Sequence, residues 1–194
     1  MDAFAELILE QGLAETSLAE ISRRAGYSAT LVHHLFGSKS ALLTRLTETV
    51  ERFARRQFST FTSQPAGVAL VGGARAYLEL VVGEEQPYGR VLAVLSSESV
   101  GGATELRQWQ RAWDSRMHAL FAEQIRSGVA DGSITARAEP EELAVFIVGL
   151  LRGVARELMN ESALPLASAQ ILVAEVVTGI LGITATPTDV SSLN

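Results

Sequence analysis

The side chains with the most specific chemistry fall between residues 28 and 39 of this 194-residue chain: Ser28, Ala29, Thr30, Leu31, His33, His34 and Lys39. At helical spacing, Val32, Leu35 and Phe36 make the inward face of a helix over 28–36, which turns Ala29, Thr30 and His33 outward with Leu31 and His34 beside them. A helix seated in a DNA major groove needs small residues at its closest approach. It also needs hydroxyl or imidazole groups for base edges and phosphates, and methyl-bearing side chains for thymine. This set supplies all three. Lys39, in the first turn of the next helix, opposes the positive end of the helix dipole. A DNA phosphate held by Lys39 and the free amides after Ser38 would resolve that opposition.

The elements that must position these groups are legible on either side. Leu18, Ile21 and Ala25 share one face of a helix over 17–25 while Arg23 and Arg24 lie on the other, and Ser17 with Glu20 has the spacing of a capping box. Gly26 sits where that helix must end in a left-handed residue, and Ser28 can cap the next helix. Two short helices joined by a sharp turn make a helix-turn-helix.

At this point the chain resembles the TetR/AcrR family of one-component transcriptional regulators. The residues at the family's signature offsets are Gly12, Thr16, Ser17, Leu18, Ile21, Ala25, Gly26, Ser28, Phe36, Ser38, Lys39 and Leu42, covering about the first quarter of the chain. The resemblance places Ser17, Ala29, Thr30, Leu31, His33 and Lys39 where the family contacts DNA; Ser28 and His34 complete the candidate contact set. His33 stands where the family usually has tyrosine, and Leu35 where histidine is common. The implied fold is all-α, with an N-terminal three-helix DNA-binding domain (1–46) linked by a helix to a C-terminal helical ligand-binding and dimerisation domain (47–186), and a polar tail (187–194).

Charge first argues against nucleic acid, because the net formal charge is −6 and DNA affinity depends on neutralising phosphates. Its distribution argues otherwise. Residues 21–58 hold seven basic and two acidic side chains, whereas the chain beyond residue 58 holds nine basic and fifteen acidic. Five acidic residues within 1–20 bring the whole of 1–58 to neutrality, and the first helical pattern starts almost at Met1 with no basic arm before it. One head alone should therefore bind DNA weakly. The chain has no cysteine, so disulfides and thiolate zinc sites are excluded. No signal peptide or membrane span is visible, no cofactor is implied, and the cytoplasm is the expected compartment.

Prolines at 65, 87, 140, 165 and 187 punctuate helical patterns near 2–11, 17–25, 28–36, 39–60, 66–83, 87–99, 103–130, 140–160 and 166–182. The pattern over 103–130 brings both tryptophans and a methionine to one face. That is either a plain core stripe or a wall of an apolar cavity. In TetR-like bodies a small ligand binds inside the helical domain, so the resemblance points to Tyr77, Trp109, Trp113, Met117, Phe121 and Arg152 as candidate effector-pocket residues, Arg152 being able to hold an anion. Of the last two helices, the first places Gly149 and Gly153 four apart and the second is apolar around most of its circumference. Phe146, Gly149, Leu150, Gly153, Val176, Gly179 and Ile180 are the candidate face of a four-helix homodimer interface.

The reading that follows is a dimeric repressor of transcription, released from a pseudo-palindromic DNA operator by a small-molecule effector, and not an enzyme. Two alternatives stand beside it. One is a protein-interaction module built on a helix-turn-helix that no longer engages DNA. The other is a helical-bundle metal enzyme, for which Asp114 and His118 provide one of the two carboxylate–histidine motifs required, with no catalytic or metal-binding residue assigned.

Overall fold

The computed structural model describes residues 1–59, 64–83, 87–160 and 163–183. Among these residues nine helices form: α1 (Asp2–Glu15), α2 (Leu18–Arg24), α3 (Ala29–Phe36), α4 (Lys39–Phe58), α5 (Ala66–Val82), α6 (Pro87–Glu98), α7 (Thr104–Asp131), α8 (Pro140–Met159) and α9 (Leu166–Leu181). The tail at 187–194 lies outside the described residues. None of the described helices is by itself long and apolar enough to cross a membrane.

The chain divides into two compact units, Met1–Gln57 with Leu80–Ala112, and Phe58–Glu79 with Trp113–Asn194. The unit holding the helix-turn-helix includes most of α4, all of α6 and the first turns of α7. In it α1 packs along α6, and α2 on α3. Its buried side chains include Phe4, Ile8, Ile21, Val32, Leu42, Leu46, Val50, Leu92, Leu95 and Leu106.

Helix α1 runs four residues past the position where periodicity ends it, because Gly12 bends it instead of stopping it. Gly12 has φ +83° and ψ 164°, and a Cβ there would lie 2.8 Å from Glu98 Oε1. Glycine alone takes this conformation without steric cost. The Leu13 N–H beyond the kink donates to both carboxylate oxygens of Glu98, at 3.2 Å each. The Thr16 hydroxyl donates to the Gly12 carbonyl at 2.7 Å.

In the second unit α8 packs on α9; Leu143, Ile147, Leu151 and Ala155 are buried on α8, and Val173, Val177 and Leu181 on α9. Pro140 in the first turn starts α8 where a missing N–H costs nothing, with Glu141 and Glu142 favourable toward the dipole there. The Gln170 amide of α9 donates to the Arg75 carbonyl of α5 at 3.2 Å, satisfying a polar group on an otherwise apolar helix.

Candidate nucleic-acid interface and interior cavity

The helix-turn-helix is held by local hydrogen bonds at each end. Ser17 Oγ accepts the Glu20 N–H at 3.2 Å, and Glu20 Oε2 accepts the Ser17 N–H at 3.0 Å, so the capping box is closed in both directions. The bonds to Ser17 hold the Glu20 carboxyl below its ordinary pKa. Gly26 turns the chain at φ +74°, with its own N–H donating to the Arg23 carbonyl and the Tyr27 N–H to the Ser22 carbonyl. Ser28 Oγ then accepts the Leu31 N–H at 3.2 Å and Ser38 Oγ the Ala41 N–H at 3.1 Å, capping α3 and α4 in turn.

On α3 only Val32 is fully buried, while Ser28, Ala29, Thr30, Leu31, His33 and His34 are all exposed. Leu35 departs from the inward face that the spacing predicts: it is 63% exposed, and Phe36 is half-buried. Measured from Val32, Leu35 lies 60° to one side and Phe36 40° to the other at 100° per residue. An eight-residue helix tipped toward Phe36 therefore leaves Leu35 in solvent beside Leu31, its neighbour one turn back. Together with Tyr27, 60% exposed at the turn, they form an apolar strip on the same helix-turn-helix. Hydrophobic spacing assigned Leu35 to the core; its placement four residues after the outward Leu31 was the signal for the other face.

Lys39 is half-buried, and its Nζ donates to the Ala14 carbonyl at 3.1 Å. An internal acceptor at the C-terminal end of α1 thus supplies the negative pole that the dipole argument sought in an external phosphate. Arg24 is likewise engaged, bidentate to Glu10 at 2.7 and 2.8 Å and within 3.4 Å of Glu6. This pairing holds the Glu10 carboxyl below its usual range. Arg45 and Arg55 pair with Glu48 and Glu51 along α4. Three of the seven basic side chains counted over 21–58 are therefore matched locally by acidic partners.

Inside the second unit, Tyr77, Trp113, Met117, Phe121 and Arg152 line one cavity with Phe58, Val148 and Leu151. Trp109 does not. It belongs to the first unit, where its indole N–H donates to Glu51 Oε1 at 2.9 Å. Arg152 Nη2 donates to Asp114 Oδ1, a partner that single-helix periodicity could not reveal because α7 and α8 bring it from 38 residues away. Burial pushes the Tyr77 hydroxyl up to about 12, against the opposing pull of Arg152. Asp114, one half of the candidate carboxylate–histidine pair, is thus taken by an arginine. Among the described residues no group of three or more His, Asp or Glu side chains could hold a metal ion.

The candidate association face is open. Phe146 is 56% and Val176 41% exposed, Gly149, Gly153 and Gly179 are exposed with clear space where a Cβ would stand, and Leu150 and Ile180 are half-buried. Val145, Ile171 and Leu172, each more than half exposed, extend the apolar surface.

Residues 1–46 match the model of bacterial regulatory proteins of the TetR family. Among curated proteins, the HTH-type transcriptional regulator BetI of Burkholderia ambifaria is 26% identical over 129 residues, which are 65% of this chain. The chain spans 57% of that relative's length. Among solved structures, reduced NemR of E. coli superposes with a TM-score of 0.78 at 18% identity, over 95% of this chain and 96% of that one. FadR of Bacillus subtilis, solved with stearoyl-CoA, gives 0.76 at 20% identity over 92% and 96%. Residues 1–46 thus carry the helix-turn-helix of the TetR family of bacterial regulatory proteins, and the fold over nearly all of the chain's length is that of NemR and FadR.

Proposed function

We propose that the chain is a homodimeric, effector-responsive repressor that binds a pseudo-palindromic DNA operator. The observation that carries this reading is the outward face of α3. Ala29, Thr30 and His33 stand in solvent on a helix capped by Ser28, with the Leu31–Leu35 strip beside them. Small, hydroxyl, imidazole and methyl-bearing groups are what the major groove reads. Ser17 and Lys39 flank this face; both are already engaged inside the protein. The Lys39 ammonium can still add a phosphate, since a lysine has three donors, whereas the single Ser17 O–H is donated to Glu20 and must leave it to reach one.

Dimerisation through α8 and α9 supports the same reading. An exposed apolar surface flanked by open glycines suits close helix packing against a second copy. Two heads one DNA turn apart would double the phosphate contacts that a neutral head makes poorly alone. The cavity of the second unit is the proposed effector site, and that FadR of Bacillus subtilis was solved with stearoyl-CoA makes a ligand within this fold reasonable. The test is gel retardation of the DNA upstream of the chain's own gene, comparing wild type with Thr30→Ala combined with His33→Ala. Neither substitution removes a buried group, so loss of retardation with an unchanged circular dichroism spectrum supports the assignment. Full retention of affinity refutes it.

A further inference from the structure

The cavity of the second unit restricts its ligand more narrowly than an apolar lining would. Arg152 alone among the lining residues carries a charge, and that charge is already matched by Asp114. Their side chains are 30% and 27% exposed, so neither has the full solvation of a surface ion. An anion entering the cavity would have to displace Asp114, stranding a half-buried carboxylate, or sit beside it and be repelled. A neutral hydrogen-bonding group meets neither obstacle. Arg152 has five N–H donors, and one carboxylate does not exhaust them. The Tyr77 hydroxyl, itself hydrogen-bonded to Arg152, stands in the same lining.

The apolar part of the ligand has a course as well. A second cavity in the same unit is lined by Phe58, Ala69, Leu70, Gly73, Met117 and Phe121, sharing Phe58, Met117 and Phe121 with the first. Their free volumes are only about 50 and 20 Å³, far below the about 300–1,000 Å³ usual for ligand sites, so a ligand enters only by moving the side chains that separate them. Met117 lies in the shared wall, and its unbranched thioether chain can turn aside at little cost.

Resting on the effector role proposed for this cavity, we infer that the effector is an uncharged, elongated apolar molecule ending in a hydroxyl, carbonyl or amide group. The polar end is held by Arg152 and Tyr77, and the chain passes Met117 into the second cavity. Acidic lipophiles are excluded by Asp114.

Isothermal titration of the full chain with 1-octanol, octanamide and octanoate at pH 8 tests this. The alcohol and the amide are expected to bind wild type at least about tenfold more tightly than the carboxylate, a difference of about 1.4 kcal/mol. Asp114→Asn releases Arg152 and is expected to raise octanoate affinity by about tenfold or more while leaving 1-octanol nearly unchanged. Octanoate binding wild type as tightly as the alcohol or more so overturns the inference and leaves the cavity as an effector site. If none of the three binds, the effector role of the cavity fails and the inference with it. The wild-type ranking decides even if the variant does not fold.

Discussion

Glu98→Ala is expected to destabilise the helix-turn-helix unit although Glu98 lies 85 residues from its partner in sequence. Its carboxylate accepts the Leu13 N–H through both oxygens at 3.2 Å, where Gly12 has kinked α1, and Leu13 is only 8% exposed. Truncation removes both acceptors from a part-buried amide, at a cost of about 1–3 kcal/mol. For a chain of this size that corresponds to a fall in melting temperature of roughly 2–12 °C. Glu98→Gln keeps one carbonyl acceptor and loses only the charge assistance, so about 0.5–1.5 kcal/mol is expected. Gly12→Ala puts a side chain at φ +83° and ψ 164°, a region essentially reserved for glycine, at about 1–3 kcal/mol, and sets a Cβ 2.8 Å from Glu98 Oε1. Removing the Glu98 side chain relieves that clash, so the double variant should be less destabilised than the sum of the singles by about 0.5 kcal/mol or more. Urea unfolding followed by circular dichroism at one fixed protein concentration measures all four proteins, since any association shifts apparent stability. Glu98→Ala within about 0.5 kcal/mol of wild type, or an additive cycle, would refute the assignment of Glu98 as the brace of α1.

Three further outcomes are expected. Glu20 has its pKa lowered by Ser17, so the folded state binds fewer protons than the unfolded one; the resulting stability is present above the ordinary value of 4.5 and is lost as pH falls through the folded pKa. Melting curves between pH 5 and pH 3 should therefore show a shallower acid dependence in Glu20→Gln than in wild type. Phe146→Glu places a charge in the exposed apolar face of α8 and should shift the chain to monomer in light scattering while leaving its helical content intact. In ligand titrations followed by fluorescence, Trp109→Phe should keep the response and Trp113→Phe should lose it, because only Trp113 lines the cavity.

The sequence carried the helices well, because each is bounded by local chemistry: Ser17 with Glu20, Gly26, Ser28, Ser38 and Pro140 all act where their types predict. What it hid depended on partners from afar. Periodicity ends α1 near Gln11; the kink at Gly12 becomes intelligible only with the carboxylate of Glu98 beside it. Trp109 and Trp113 are one turn apart and share a face by spacing, yet α7 is long enough to contribute to two units, so one tryptophan bonds Glu51 and the other walls the cavity. The same limit applies to charge. Counting basic residues could not reveal that Arg24 is clasped by Glu10, that Lys39 serves the end of α1, or that Arg152 is matched by Asp114.

Footprinting of the wild-type protein on the DNA upstream of its gene, repeated at several salt concentrations, tests the proposed repressor most directly. The expected result is two protected half-sites whose centres lie about 10 bp apart or a multiple of that, with protection fading steeply as salt rises. Absence of protection at low salt, with the protein folded and dimeric, would contradict the DNA-binding role and leave the helix-turn-helix as a surface for a protein partner.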